Sequence, residues 1–193
     1  TNFNDVRAQF QGLGADTDIN FMTPVVNRQF NSTSAWGTSN AVKSAYPAQP
    51  GYLTMWVANI GGGILGYAQF PGGNASTDGV VMSPQYFGTT GFISAPFDGG
   101  RTTTHEVGHW MNLRHIWGDG RCRQDDFVQD TPTSDGANYG CPSYPTINCS
   151  STDMTMNYMD YTYDTCMYMF TDGQSNRMRA IFASDGPRET MIQ

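Results

Sequence analysis

His105, His109 and His115 are the only histidines in this chain, and they fall in one eleven-residue window, His105-Glu106-Val107-Gly108-His109-Trp110-Met111-Asn112-Leu113-Arg114-His115. The window also holds one of only two glutamates. Residues four apart share a helix face, so His105 and His109 can bind a single ion. Glu106 follows the first of them, where a carboxylate reaches water on that ion. The third histidine lies six residues past the second, and a continued helix would carry it to the wrong side. The chain must therefore turn between them, and Asn112 is the residue best suited, because asparagine tolerates the left-handed conformation. Three imidazoles with one open position is the layout of a catalytic zinc site, since structural sites close with four protein ligands and commonly use thiolates. Thr103 with Glu106 also reads as a helix capping box, which would need no metal.

Composition limits what surrounds these residues. A chain of 193 residues, 38% hydrophobic and 14% charged with 22 glycines, suits one loop-rich catalytic domain over residues 1–193 and not a disordered protein. The net charge of −7 comes mostly from aspartate, against nine arginines and the single Lys43. With no basic cluster, nucleic acid is not expected as a partner. No apolar run approaches the ~20 residues of a membrane span, and no charged segment followed by an apolar stretch opens the sequence. Any signal peptide or propeptide, as a secreted zymogen would carry, is therefore expected to have been removed or to lie outside it. Cys122, Cys141, Cys149 and Cys166 lack the spacing of a zinc ribbon and read as two disulfides formed in an oxidising compartment, in any of three pairings.

The elements that must position the histidines follow from pattern. Strands are expected over Asp18–Val26, Leu53–Ile60 (a central strand), Ile64–Phe70 and Asp78–Ser83, with a helical turn over Asn40–Tyr46. These and the histidine helix make an upper lobe of about residues 1–115. From Asp119 to Asp153 turn residues dominate, and Gly173–Phe182 regains a helical pattern. The lower lobe, about residues 116–193, is therefore irregular, braced by disulfides and ended by a helix. The fold class is α+β, with an α/β upper lobe built on a twisted, mostly parallel sheet.

A second constellation, Met156-Asn157-Tyr158-Met159-Asp160-Tyr161, lies downstream. A methionine is more often a gap-filler than a functional residue, so its value comes from combination. Together the extended histidine motif and this segment resemble the metzincin metalloproteases, in which a methionine-bearing turn floors the metal site. The resemblance sharpens to the pappalysin family and its small secreted microbial members. It is carried by Leu65-Gly66-Tyr67-Ala68-Gln69-Phe70-Pro71, Thr104 to Trp110, Asp126-Phe127-Val128-Gln129-Asp130-Thr131-Pro132, and Asn157 to Phe170 with Gly173-Gln174. Residues 1–50 carry little of it. Asn112 stands at the motif's usual glycine.

That resemblance implies a secreted zinc endopeptidase in which His105, His109 and His115 bind zinc and Glu106 is general base and then acid. Met159 would form the Met-turn, and Tyr161 would steady the substrate carbonyl or the species formed from it. Polypeptide substrates would lie extended along Ile64–Phe70, an edge strand, and the protein would act as a monomer. The family pairs the cysteines as Cys122–Cys149 and Cys141–Cys166. It also implies a structural calcium held by Asp126, Val128 through its carbonyl, Asp130 and Thr131, which suits the aspartate-rich loop. Some relatives prefer a basic residue after the scissile bond, and Asp160 and Asp164 are the acids here that would meet Arg or Lys, although Thr165 stands where an acid would strengthen the case. The rival is a catalytically silent zinc-binding module used for adhesion or interaction; Glu106 argues against it, because such a module could lose the glutamate and keep its zinc.

Overall fold

The computed structural model describes residues 31–191. The strand expected over Asp18–Val26 lies outside them. Among the described residues the upper lobe is a three-stranded sheet with helices beside it. Strand β1 is Thr54–Val57, β2 is Gly66–Ala68 and β3 is Gly79–Met82, in the order β1-β3-β2. β1 pairs parallel with β3, in register Trp56 with Val81, and β2 pairs antiparallel with it, in register Tyr67 with Val81. Two expectations are corrected here. Among the described residues the strand flanked on both sides is β3 rather than the segment Leu53–Ile60, and one of the two described pairings is antiparallel, so the described sheet is mixed. The reason lies in burial. Gly-Val-Val-Met is buried at every position, as a strand covered on both faces must be, whereas β1 leaves Val57 exposed.

A short helix α1, Ala41–Ala45, packs against the sheet and carries the chain's single lysine inward. The Lys43 ammonium donates to the Thr77 carbonyl at 3.0 Å and lies over the rings of Trp56 and Tyr67, at 5.5 and 5.3 Å. Burial lowers its pKa. Its neighbour Val42 belongs to a small core with Trp56, Ile60 and Val81.

Helix α2, Arg101–Trp110, holds the first two histidines. Three threonines and a glycine make it a poor helix former on propensity. It stands because every residue from Thr102 to Trp110 is buried, so tertiary packing supplies what propensity does not. The capping-box reading fails, since Thr103 is inside the helix and its hydroxyl has no hydrogen-bond partner among the described residues. The actual cap comes from the other lobe. Asp164 Oδ2 accepts the N–H groups of Gly99 at 2.8 Å and Arg101 at 3.0 Å.

The lower lobe is irregular, with two-residue strands β4 (Tyr139–Gly140), β5 (Ile147–Asn148), β6 (Ser151–Thr152) and β7 (Tyr161–Thr162). Disulfides join Cys122 to Cys149 and Cys141 to Cys166. The last long element, α3 at Asp172–Ala180, opens with a capping box between Thr171 and Gln174. The main core lies between the lobes and includes Val80, Val107, Leu113, Met159, Met178, Ile181 and Phe182. Arg188, buried near the end of the described chain, donates to both oxygens of Asp78 and, at 2.7 Å, to the Trp110 carbonyl at the end of α2.

Candidate active site

The site is built on the end of α2. Its last turn closes as a Schellman motif: Leu113 N–H donates to the Gly108 carbonyl and Asn112 N–H to the His109 carbonyl, each at 2.9 Å. The motif requires a left-handed residue, and Asn112 takes it with φ 75°. Leu113, wholly buried, anchors the exit. The chain thus leaves the helix axis within one residue and returns His115 to the face that His105 and His109 present.

The three rings converge. Their candidate ligand nitrogens all lie within 4.8 Å of one another, and the Nε2 atoms of His109 and His115 are 3.0 Å apart. Each Nδ1 faces an oxygen: the Tyr158 carbonyl at 2.7 Å for His105, the Leu113 carbonyl at 2.8 Å for His109, and the Asp119 carboxylate for His115. With Nδ1–H donating in each case, the proton sits on the outer nitrogen and the three Nε2 lone pairs point at one another. Nothing among them donates to satisfy those lone pairs, so the arrangement fits a cation of zinc's preferences. Burial lowers the pKa of all three, and that of His109 falls to about 4, helped by the nearby His115. The imidazoles are therefore neutral at physiological pH, the form in which they could bind a metal.

Glu106 is buried, and that burial pushes its carboxyl up to about 8. Space beside it depends on Gly66, where an added Cβ would stand 2.9 Å from Glu106 Cγ and 3.0 Å from the Val81 carbonyl oxygen. Gly108 performs the same service beneath the site, since a Cβ there would meet Met159 Sδ at 2.5 Å. The wholly buried Met159 therefore lies directly under α2, between the turns that carry the two histidines. Asn157 shapes this floor. Its Oδ1 accepts Met159 N–H at 2.9 Å, and its amide exchanges two hydrogen bonds with Gln174 of the α3 capping box.

The walls are aromatic. Trp117 stacks flat on His115, with ring centroids 4.3 Å apart, and Tyr161 stands 4.9 Å from His115 and 5.6 Å from His105. Burial, with the charge of Glu106 second, raises the Tyr161 hydroxyl to about 12. Phe70, just past β2, lies 5.3 Å from His109. β2 is an edge of the described sheet, with its far side open for pairing. The sequence pattern pointed to the histidines, Glu106, Asn112, Met159 and Tyr161, and the structure gathers them. It did not reveal the roles of Trp117, Asp119, Gly66 or Gly108; Trp117 and Asp119 reach His115 from the turn directly after it, whereas the space made by Gly66 and Gly108 depends on distant packing.

Other expected groups are placed differently. Asp160 is wholly buried and accepts from the N–H groups of Asn138 and Tyr161 and from the Asn138 amide, and Asp164 caps α2. Neither carboxylate is open to a substrate's Arg or Lys, which removes the ground for that preference. In the acidic loop Thr131 Oγ1 donates to Asp126, with the Val128 carbonyl 2.7 Å from the same hydroxyl, so these three come together. Asp130 turns away to accept from Thr171 Oγ1 and Gly173 N–H at the start of α3.

A helix with two histidines, a left-handed turn to a third and a methionine floor define a zincin of the metzincin type. The family model described as pregnancy-associated plasma protein-A, of the M43 peptidases, matches residues 39–183, and the chain belongs to that family, the pappalysins. Mature mirolysin of Tannerella forsythia, solved in complex with a cleaved peptide, is similar at 52% identity and a TM-score of 0.70, over 73% of this chain and 56% of that one. An extracellular metalloprotease of Arthroderma benhamiae is 32% identical over 195 residues, covering 94% of this chain and 66% of that protein. Extracellular metalloprotease 1 of Coccidioides posadasii is 43% identical over 129 residues, or 63% of this chain and 46% of that protein. The chain spans about two thirds of the Arthroderma benhamiae relative and a little over half of mirolysin.

Proposed function

We propose that this chain is the catalytic part of a secreted zinc endopeptidase that cleaves polypeptides bound in extended form along β2. The observation that carries the reading is the convergence of three outward-tied imidazoles beside a buried glutamate. Two disulfides and relatives named as extracellular metalloproteases support secretion.

His105, His109 and His115 would hold the zinc. When bound, zinc supplies Lewis-acid activation, lowering the pKa of a coordinated water from about 15.7 to about 7. The remaining steps belong to the protein. Main-chain groups of β2 pair with the substrate and fix the scissile carbonyl in line for attack. Glu106 would take the proton of the attacking water and return it to the leaving amine; burial raises its carboxyl and the nearby cation would draw it back down, a balance suited to both tasks. Tyr161, whose hydroxyl stays protonated, donates a hydrogen bond to the carbonyl oxygen as charge develops there.

We also propose calcium in the acidic loop, held by Asp126, the Val128 carbonyl and Thr131; Asp130, engaged at α3, supports the loop from outside.

The deciding experiment pairs Glu106→Ala with His115→Ala. Glu106→Ala should abolish casein hydrolysis and keep zinc near one per molecule, whereas His115→Ala should lose the metal. Hydrolysis near the wild-type rate in Glu106→Ala would refute the base assignment. Wild-type protein with zinc but no proteolysis would favour a silent binding module instead.

A further inference from the structure

We infer that Asp119 is the positioning residue of the metal site: it fixes and polarises the neutral ring of His115, the one ligand that no helix holds, and thereby sets the affinity for zinc. The inference rests on the zinc reading above. His105 and His109 ride on α2, and their Nδ1 atoms are tied to main-chain carbonyls, Tyr158 and Leu113. His115 lies past the helix end, on irregular chain, and its Nδ1 faces a side-chain carboxylate instead. A ligand on a loop loses more conformational freedom on binding a metal than one on a helix, so it gains most from an external tether.

The chain is bent to provide that tether. Gly118 N–H donates to the His115 carbonyl at 2.8 Å, closing a tight turn. Gly118 and Asp119 are both left-handed, with φ 63° and 61°. Gly118 is also pressed on neighbouring backbone, since a Cβ there would meet Asp125 N at 2.6 Å. A non-glycine residue held at positive φ needs a reason in its surroundings. Here the conformation returns the Asp119 side chain, otherwise more than half exposed, to the ring four residues before it. Trp117, between the two, covers the flat face of the same ring. Ring plane, tautomer and basicity of His115 are thus fixed by two residues of one turn.

The test uses the full chain with Asp119→Asn and Asp119→Gly. Both tolerate positive φ; the first keeps an acceptor without the charge, and the second removes both. Zinc affinity is read by competition with a chromophoric chelator, and the ligand field by the visible bands of the cobalt(II)-loaded protein. Asp119→Gly should weaken zinc binding by about 10- to 100-fold with shifted cobalt bands, and Asp119→Asn should fall between it and wild type. The zinc-free variants should melt with the zinc-free wild type, which separates a site effect from a folding defect. Wild-type affinity in Asp119→Gly, or in Asp119→Asn should the glycine variant not fold, would overturn the inference. A wild-type chain that binds no zinc would instead overturn the zinc reading itself.

Discussion

At the scale of single residues, the site depends on side chains that are absent. Gly66 and Gly108 leave room for Glu106 and Met159, one above the helix and one below it. Gly66→Ala would place a methyl against a fixed carbonyl of β3, so it is Glu106 that must give way. Displacing a general base by about an ångström lowers kcat on the order of 100-fold. If Glu106 is the base proposed above, Gly66→Ala should keep its zinc and lose most turnover; an unchanged kcat would count against a positioned base at Glu106. The histidines make a second prediction. Free histidine titrates near 6.5, and on that basis zinc would leave below about pH 6 as protons compete for the ligands. Burial instead lowers His109 to about 4 and lowers His105 and His115 as well. A group with a depressed folded pKa keeps its neutral form as pH falls until that lower value is approached. Zinc measured after equilibrium dialysis should therefore persist below pH 6 and be lost toward pH 4. Half-loss above pH 6 would contradict the neutral, buried site.

At the scale of elements, α2 is made by its neighbours. Its Thr-rich start has no local cap, and Asp164 provides one from 63 residues away in sequence. Asp164→Ala should cost about 1 to 2 kcal/mol in urea unfolding, in the range of a lost N-cap. A change under a few tenths would mean that water replaces the carboxylate. This explains how much the sequence disclosed. The histidine spacing demanded a left-handed exit, and Asn112 provided it, because both are local facts. The sheet regions were likewise legible from short apolar runs between glycines. Strand order was not, since it depends on which run is covered on both faces, and only packing reveals that for Gly79–Met82. The caps of α2, the engagement of Asp160 and the inward path of Lys43 are long-range for the same reason. Residues 164 and 99 meet in space without any shared pattern in sequence.

At the scale of the whole molecule, the lower lobe has little regular structure, and its order comes from two disulfides, buried carboxylates and the proposed calcium. If calcium binds folded but not unfolded chain, stability rises with its concentration, by about 2.7 kcal/mol at a hundredfold excess over its dissociation constant. Melting in a calcium-selective chelator, with zinc held constant, should therefore drop by several degrees and self-cleavage should increase. An unchanged transition, with no calcium by elemental analysis, would remove the metal from the account. The lobes themselves are not separable modules. The active-site helix belongs to the upper lobe by position, yet the lower lobe holds its first turn through Asp164, its middle through Met159 and its last carbonyl through Arg188. For protein engineering this sets a rule of inheritance. A chimera that takes its lower lobe from another family member must import those three residues as a set with their partners Gly99, Gly108 and Asp78, or the recipient's histidine helix will be left without its anchors.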